Sequence, residues 1–171
     1  SNNFTSIDLI PENGNSLLTN LNYSEQKYFP GKLENQLHFE NIELISNLIF
    51  TSDRSAIISS KITNNGNQNL KFSPQWKGEI FDEIGDLIKN DTTLITLLDK
   101  NQKIFLRPIN DNEFNILTDA NKYVITLNNI ILKPKETKTY TIEIRYHPDQ
   151  KNIRGNTTTI NILKAIEDNQ L

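Results

Sequence analysis

The chain has 171 residues, which suits one domain with a hydrophobic core, or one domain with an ordered arm. Its formal net charge is −3 with acidic and basic residues interspersed, so we expect no nucleic-acid partner, because no broad cationic surface is available to hold phosphates. Cysteine is absent, which excludes disulfides, thiolate metal sites and a cysteine nucleophile within these residues, and no run of about 20 apolar residues could span a membrane.

The first segment, residues 1–35, is predicted to be an arm that packs on the main domain. It combines a possible strand, a turn at residues 11–14, a turn or short helical stretch near Ser16, and a break at residues 30–31. Its apolar residues are too frequent for a free linker.

Residues 36–165 are predicted to form a β-sandwich. In SAIISSKIT the residues Ala56, Ile58 and Ile62 share one face, which is the period of a strand with one buried side. Asn65 and Gly66 then predict a turn, because both residues tolerate positive φ. Further strands are predicted at residues 36–44, 76–82, 103–107, 122–128, 138–147 and 157–163.

The clearest alternation is KTYTIEIRYH at residues 138–147, where Tyr140 and Tyr146 share a face with isoleucines and are predicted to be core or core-edge residues. A segment near Thr92 favours a turn or a short helix, and residues 166–171 form a polar tail that we expect to fray. The pattern predicts an all-β sandwich of about seven to nine mostly antiparallel strands with an N-terminal arm.

Three segments carry a family resemblance: IISSKITNNGNQNLKF, with its Asn-rich turn; WKGEIFDEIGDLI, with an acidic hairpin at residues 81–86; and LKPKETKTYTIEI. Together they resemble the immunoglobulin-like domains of small bacterial cell-envelope lipoproteins, over residues 37–163. The resemblance implies an immunoglobulin-like sandwich exported to the bacterial surface, with another cell-envelope protein as partner. A chain without methionine does not begin at its translational start, so the residues before Ser1 were lost either by truncation or with a removed signal segment. In the second case the resemblance implies that the only membrane link is a lipid-modified cysteine before Ser1.

The sequence offers little for catalysis. His38 and His147 are its only histidines, both lie on predicted strands, and neither has a serine or aspartate at a recognisable motif spacing. No nucleophile elbow, phosphate-binding loop, dinucleotide fingerprint or zinc-protease motif is present. We therefore predict that the chain is not an enzyme and has no catalytic residue. A hydrolase would need a pocket that joins a histidine to a nucleophile and a carboxylate.

Two kinds of binding site are considered. Asp111, Glu113 and Asp119 are candidate calcium ligands beside several asparagines, although a solvated loop is favoured and we expect no cofactor. Trp76 and Tyr123 are candidate binding aromatics, because an exposed ring on a sandwich can stack on a sugar. Trp76 is also a candidate for the central aromatic of the core, since there is no disulfide between the sheets.

The predicted function is that of a non-catalytic extracytoplasmic binding or scaffold domain, which acts through protein–protein contacts at its loops or a strand edge. The alternative is a carbohydrate-binding module that uses an exposed aromatic on the sandwich.

Overall fold

The structure, a computed structural model, describes residues 6–19, 23–79, 88–90, 93–99, 102–109 and 114–147. Within these residues the chain forms one 3-10 helix, Leu17–Thr19, and thirteen strands. No helix in the described part of the chain has the length and apolar character needed to cross a membrane. The strands are β1 (Ser6–Ile10), β2 (Tyr23–Phe29), β3 (Lys32–Phe39), β4 (Ile42–Ser52), β5 (Ser55–Asn64), β6 (Leu70–Glu79), β7 (Ile88–Asn90), β8 (Thr93–Asp99), β9 (Gln102–Pro108), β10 (Phe114–Asp119), β11 (Lys122–Leu127), β12 (Ile130–Leu132) and β13 (Thr137–His147).

The strands form two sheets that pack as a sandwich. The small sheet has five strands, in the order β1-β6-β11-β10, with β12 also paired to β6. The large sheet has eight strands, in the order β2-β3-β4-β5-β13-β9-β8-β7. The pairings between these described strands are antiparallel. The prediction of an all-β sandwich of mostly antiparallel strands is confirmed.

The described strands outnumber the seven to nine that we predicted. Residues of the N-terminal segment supply β1, which pairs with β6 in the small sheet, and β2, which pairs with β3 in the large sheet. The segment near Thr92, expected to be a turn or helix, is strand β8, because its pairing with β9 outweighs its local helical pattern.

The prediction of one strand over residues 36–44 was wrong. The chain reverses at Glu40 and Asn41 between β3 and β4, and Glu40 has a φ of 41°. Glu40 is not a residue type that favours positive φ, so the turn signal in the sequence rested on Asn41 alone. The predicted strand at residues 157–163 and the acidic hairpin at 81–86 lie outside the described residues.

The core lies between the two sheets and centres on Trp76 of β6, which is 1% exposed. Its indole Nε1 donates a hydrogen bond to Ser60 Oγ of β5 at 3.1 Å, so the bond crosses from the small sheet to the large one. The ring centroid lies 6.2 Å from that of Phe114 and 6.1 Å from that of Tyr140, in tilted and edge-on arrangements. Such tilted pairs are favoured by the quadrupoles of the rings.

The Asn-rich stretch joins strands of different sheets, because β5 belongs to the large sheet and β6 to the small one. Asn64, which is 2% exposed, holds this crossing. Its Nδ2 donates to the carbonyl oxygens of Leu132 at 3.1 Å and Lys133 at 3.2 Å. The same group donates to Gln68 O at 2.8 Å, while Oδ1 accepts from the Gly66 amide at 2.9 Å. One side chain therefore joins the β5–β6 crossing to the β12–β13 connection.

We expect Asn64→Ala to lower the free energy of unfolding by about 2–4 kcal/mol. The substitution removes several hydrogen bonds worth about 1 kcal/mol each and leaves a buried carbonyl unpaired. Urea denaturation followed by Trp76 fluorescence measures the loss. Asn67→Ala, at an exposed position in the same crossing, is the matched control and should change stability by less than about 0.5 kcal/mol. Equal effects of the two substitutions would contradict the role of Asn64.

Candidate functional site

The large sheet has one face packed on the small sheet and an opposite face, which we name the outer face. Side chains alternate between the two faces along each strand, so the registers of paired strands determine which residues share the outer face. Tyr140 and Ile142 of β13 lie in the core, and therefore Thr141, Glu143 and Arg145 lie on the outer face.

Two neighbouring rows of side chains cross the middle of the outer face. Adjacent strands lie about 4.8 Å apart, so neighbours within a row are close enough to interact. The first row consists of Lys32, Ile49, Ile57, Glu143 and Arg107. The second row consists of Glu34, Asn47, Ser59 and Thr141.

The centre of the outer face is buried, although the small sheet packs on the other side. Ile57 is 0% exposed and Ile49 is 3% exposed, and both lie outside the hydrophobic cluster between the sheets. Ser59 is 6% exposed and Thr141 8% exposed. These shorter side chains therefore form a floor, around which longer charged side chains stand.

A carboxylate held by two guanidinium groups lies at one side of this floor. Glu143 Oε2 accepts from Arg107 Nη2 at 2.8 Å, and Glu143 Oε1 accepts from Arg145 Nη2 at 2.5 Å. The Glu143 side chain is 8% exposed, whereas those of Arg107 and Arg145 are 43% and 24% exposed. Charge-assisted hydrogen bonds of this kind are stronger than neutral ones. The group of three carries a net charge of +1.

The other side of the floor carries a second ion pair beside an aromatic ring. Lys32 Nζ lies 3.0 Å from Glu34 Oε2, and the two side chains are only 16% and 17% exposed. The same ammonium stands 4.8 Å from the ring centroid of Phe29, a cation–π distance. Phe29 is 45% exposed. The outer face thus has an aromatic ring at its β2 edge.

Asn47 contributes an unsatisfied acceptor to the outer face. Its Oδ1 atom is buried and has no hydrogen-bond partner in the described structure. A buried amide oxygen without a partner costs free energy relative to one that is hydrogen-bonded.

The structure corrects the choice of binding aromatics. Trp76 is 1% exposed and Tyr123 is 2% exposed, so neither ring can stack on a ligand from solvent. Their strands alternate as predicted, but both rings lie on the face that turns toward the large sheet. Phe29 and Tyr28, at 45% and 75% exposed, are accessible rings that the sequence analysis missed. Their position just before the Pro-Gly turn at an edge strand was the available signal.

Tyr140 is a core residue, as predicted, at 2% exposed. Burial raises the pKa of Tyr140 from 10.0 to about 12, and the nearby charge of Glu136 adds to the rise. Because the folded-state pKa exceeds the unfolded one, the neutral phenol contributes stability that is present below about pH 10 and lost as the pH rises toward 12.

The remaining candidate residues are not brought together. Asp111 and Glu113 lie outside the described residues, and Asp119 is an exposed residue at the end of β10. In the described part of the chain, no group of three or more acidic or histidine side chains could hold a metal ion.

His38 lies on β3, next to the β2 edge of the large sheet, and His147 lies at the end of β13. His38 Nε2 lies 3.1 Å from Gln36 Nε2 and 3.7 Å from Glu43 Oε1 on the outer face. By register, this group lies about 20 Å along the strands from Glu143. His147 is the last residue of β13.

A concave region also lies at one end of the sandwich. It has a volume of about 320 Å³ and is formed by the segment after β1 and by the β3–β4 turn, including Asn13, Asn15 and Asn41. It includes neither of the predicted aromatics. Its lining mixes polar and apolar side chains and carries only one charged side chain, Glu40.

The sequence matches no family model and no curated protein sequence. Solved structures do share its fold. A protein provisionally assigned as a kojibiose phosphorylase, from the human microbiome, has a TM-score of 0.60 at 13% identity, over 97% of this chain and 25% of that one. A heparan sulfate lyase from Pedobacter heparinus has a TM-score of 0.57 at 8% identity, over 84% of this chain and 24% of that one.

A galactose mutarotase-like protein from Lactobacillus casei matches more of its own length. Its TM-score is 0.53 at 8% identity, over 72% of this chain and 73% of that one. This chain spans only about a quarter of the phosphorylase and lyase chains. At these identities the likeness shows the fold alone.

We expect Glu143→Gln to lower the free energy of unfolding by about 1–3 kcal/mol. The amide keeps the shape of the carboxylate but leaves two arginines without their counter-charge, and exposure of the arginines limits the loss. Thermal and urea unfolding measure it. Glu12→Gln removes a carboxylate from the exposed Glu12–Lys71 pair and should cost less than about 0.5 kcal/mol. A loss no larger than this control would show that the Arg–Glu–Arg group is not structural.

Proposed function

We propose that this chain is a carbohydrate-binding β-sandwich domain that holds its ligand on the outer face of the large sheet, without catalysis. The observation that carries the proposal is the set of partly exposed polar and aromatic side chains on that face. Arg107, Arg145 and Phe29 are 43%, 24% and 45% exposed, and the buried centre between them includes Ile49 and Ile57. Binding sites commonly combine apolar surface with a few placed polar groups in this way.

A carbohydrate fits this chemistry because each sugar ring presents hydroxyl groups, which both donate and accept, and apolar C–H faces. Arg107 offers donors, and Phe29 offers an exposed ring at the edge of the same face. The ring takes the role that the sequence analysis gave to Trp76.

The comparisons support the same class of ligand. The proteins that share this fold include ones named as a heparan sulfate lyase, a kojibiose phosphorylase and a galactose mutarotase-like protein, all names from carbohydrate chemistry. The fold recurs with sugar-related functions, and fold analogy of this kind adds to the argument from the site without replacing it.

Binding without catalysis is proposed because the described acid and base candidates are badly placed for sugar chemistry. Glycoside hydrolysis commonly uses two carboxyl groups about 5–10 Å apart. Glu143 is already paired with two arginines, and the His38–Glu43 group lies about 20 Å away along the strands.

A second candidate function, contact with another cell-envelope protein, is favoured by an exposed apolar group on the opposite face of the same sheet edge. Tyr28, Leu33 and Phe50 are 75%, 39% and 54% exposed. The resemblance to envelope lipoprotein domains supports an extracytoplasmic location for either function.

Cross-linking in the native host should recover an envelope protein with the wild type and lose it with Tyr28→Lys. Recovery of only cytoplasmic proteins would reject both the partner and the location.

We expect Phe29→Ala to weaken polysaccharide binding about tenfold, because the substitution removes the exposed ring on which a sugar stacks. Phe29 is 45% exposed, so its truncation should cost the fold little stability. Affinity electrophoresis and calorimetry against a panel of soluble neutral and acidic polysaccharides measure binding.

Tyr28→Ala is the matched control. Tyr28 is another exposed ring on β2, but by register it lies on the face opposite to Phe29. It should leave binding unchanged. Equal weakening by the two substitutions would move the site away from the outer face, and failure of the wild type to bind any polysaccharide would reject the proposed function.

A further inference from the structure

We infer that the ligand of the outer face is an anionic carbohydrate, with carboxylate or sulfate groups received by Arg107 and Arg145. This inference rests on the proposed function and adds the charge class of the ligand. It comes from the distribution of charge over the sheet and from the donors that the arginines retain.

Charge is unevenly distributed over the outer face. On β2, β3 and β4 the described lysines and glutamates of this face largely neutralise each other, as in the pairs Lys27–Glu25 and Lys32–Glu34. On β5, β13 and β9 the described charged side chains of the face are one acid, Glu143, and four bases. The bases are Lys61, Lys103, Arg107 and Arg145. A chain with a net charge of −3 thus concentrates positive charge on one half of one face.

The arginines retain hydrogen-bonding capacity after they bind Glu143. A guanidinium has five N–H donors in a planar fork, and the described contacts with Glu143 use one nitrogen of each arginine. Arg107 is 43% exposed, so its remaining donors are accessible to a ligand. The fork geometry matches the paired oxygens of a carboxylate or another oxyanion. A neutral hydroxyl has a single oxygen and uses the fork less well.

Glu143 acts as a positioning residue for these donors. A long arginine side chain loses conformational entropy when it binds, and a fixed guanidinium has already lost part of it. The carboxylate is almost buried and touches both guanidinium groups, so it holds them side by side before a ligand arrives. It leaves one net positive charge to attract the ligand.

The lysines extend the positive surface along the strands. By register, Lys61 lies four residues to one side of the Glu143 row and Lys103 four residues to the other. Each distance is about 13 Å, so the four bases span about 26 Å. A surface of this length suits an extended acidic polysaccharide better than a single small anion.

Nucleic acid fits this surface less well than an acidic glycan. Glu25, Glu34 and Glu43 lie on the same outer face, beyond the basic half. Their charges would oppose the dense phosphate backbone of a nucleic acid, whereas a glycan with spaced acidic groups can avoid them.

The test compares matched pairs of polysaccharides that differ only in charge. Polygalacturonate is paired with its methyl ester, and heparan sulfate with its desulfated, carboxyl-reduced form. Calorimetry on the wild-type protein should show binding to at least one acidic polymer that is about tenfold or more tighter than to its neutral twin. The binding should weaken as sodium chloride is raised.

Substitutions test which side chains bind the acidic polymer. Arg107→Gln should weaken binding of the acidic polymer about tenfold, and Arg107→Lys should restore only part of it, because lysine keeps the charge but lacks the fork. Lys71→Gln is the control: it removes one base of similar exposure, 46%, from the small sheet and should leave binding unchanged. Urea unfolding of each variant verifies that it is folded.

The outcomes separate the two proposals. Equal affinity for the charged and neutral twins would overturn the inference and leave the carbohydrate-binding function standing. Equal weakening by Lys71→Gln and Arg107→Gln, or equal binding of a DNA oligonucleotide, would reduce the effect to general electrostatics and also overturn it. Absence of binding to every polysaccharide would reject both.

Discussion

The contact between Trp76 and Ser60 connects the two sheets, and much of the structure depends on it. The indole is large enough to fill the middle of the sandwich, where it meets Phe114 and Tyr140, and its single polar atom donates to a hydroxyl of the opposite sheet. A buried N–H without a partner would be costly, so this bond fixes the lateral position of one sheet over the other. The chain has no disulfide that could do so instead.

The hydrophobic core takes the inner face of the large sheet, and the outer face carries polar groups together with Ile49, Ile57 and Phe29. Alternation does this strand by strand: Tyr140 and Ile142 turn inward, and Thr141 and Glu143 turn outward. Antiparallel pairing then sets Arg107 beside Glu143, residues that are 36 positions apart in the chain. The same rule that builds the core therefore assembles the Arg–Glu–Arg group.

Several elements could be predicted because they depend on neighbours in the sequence. The alternation of residues 138–147 gave strand β13 and the burial of Tyr140, and Asn65-Gly66 gave the break after β5. The β3–β4 turn escaped prediction because Glu40 adopts positive φ without the usual residue types. The segment near Thr92 was misassigned because pairing with β9, a tertiary effect, decides its structure. The candidate site was missed altogether, since its residues come from strands that are distant in sequence.

The sequence by itself determined the fold class, since period-two alternation and turn residues are local properties that identify strands one at a time. Only the tertiary structure decided which strands are neighbours, which of two possible faces each aromatic occupies, and which charged side chains meet. Trp76 illustrates the difference: its strand was predictable, but its burial depends on a second sheet that covers that side of the strand. The site follows from strand order and register, and these are set by contacts between residues far apart along the chain.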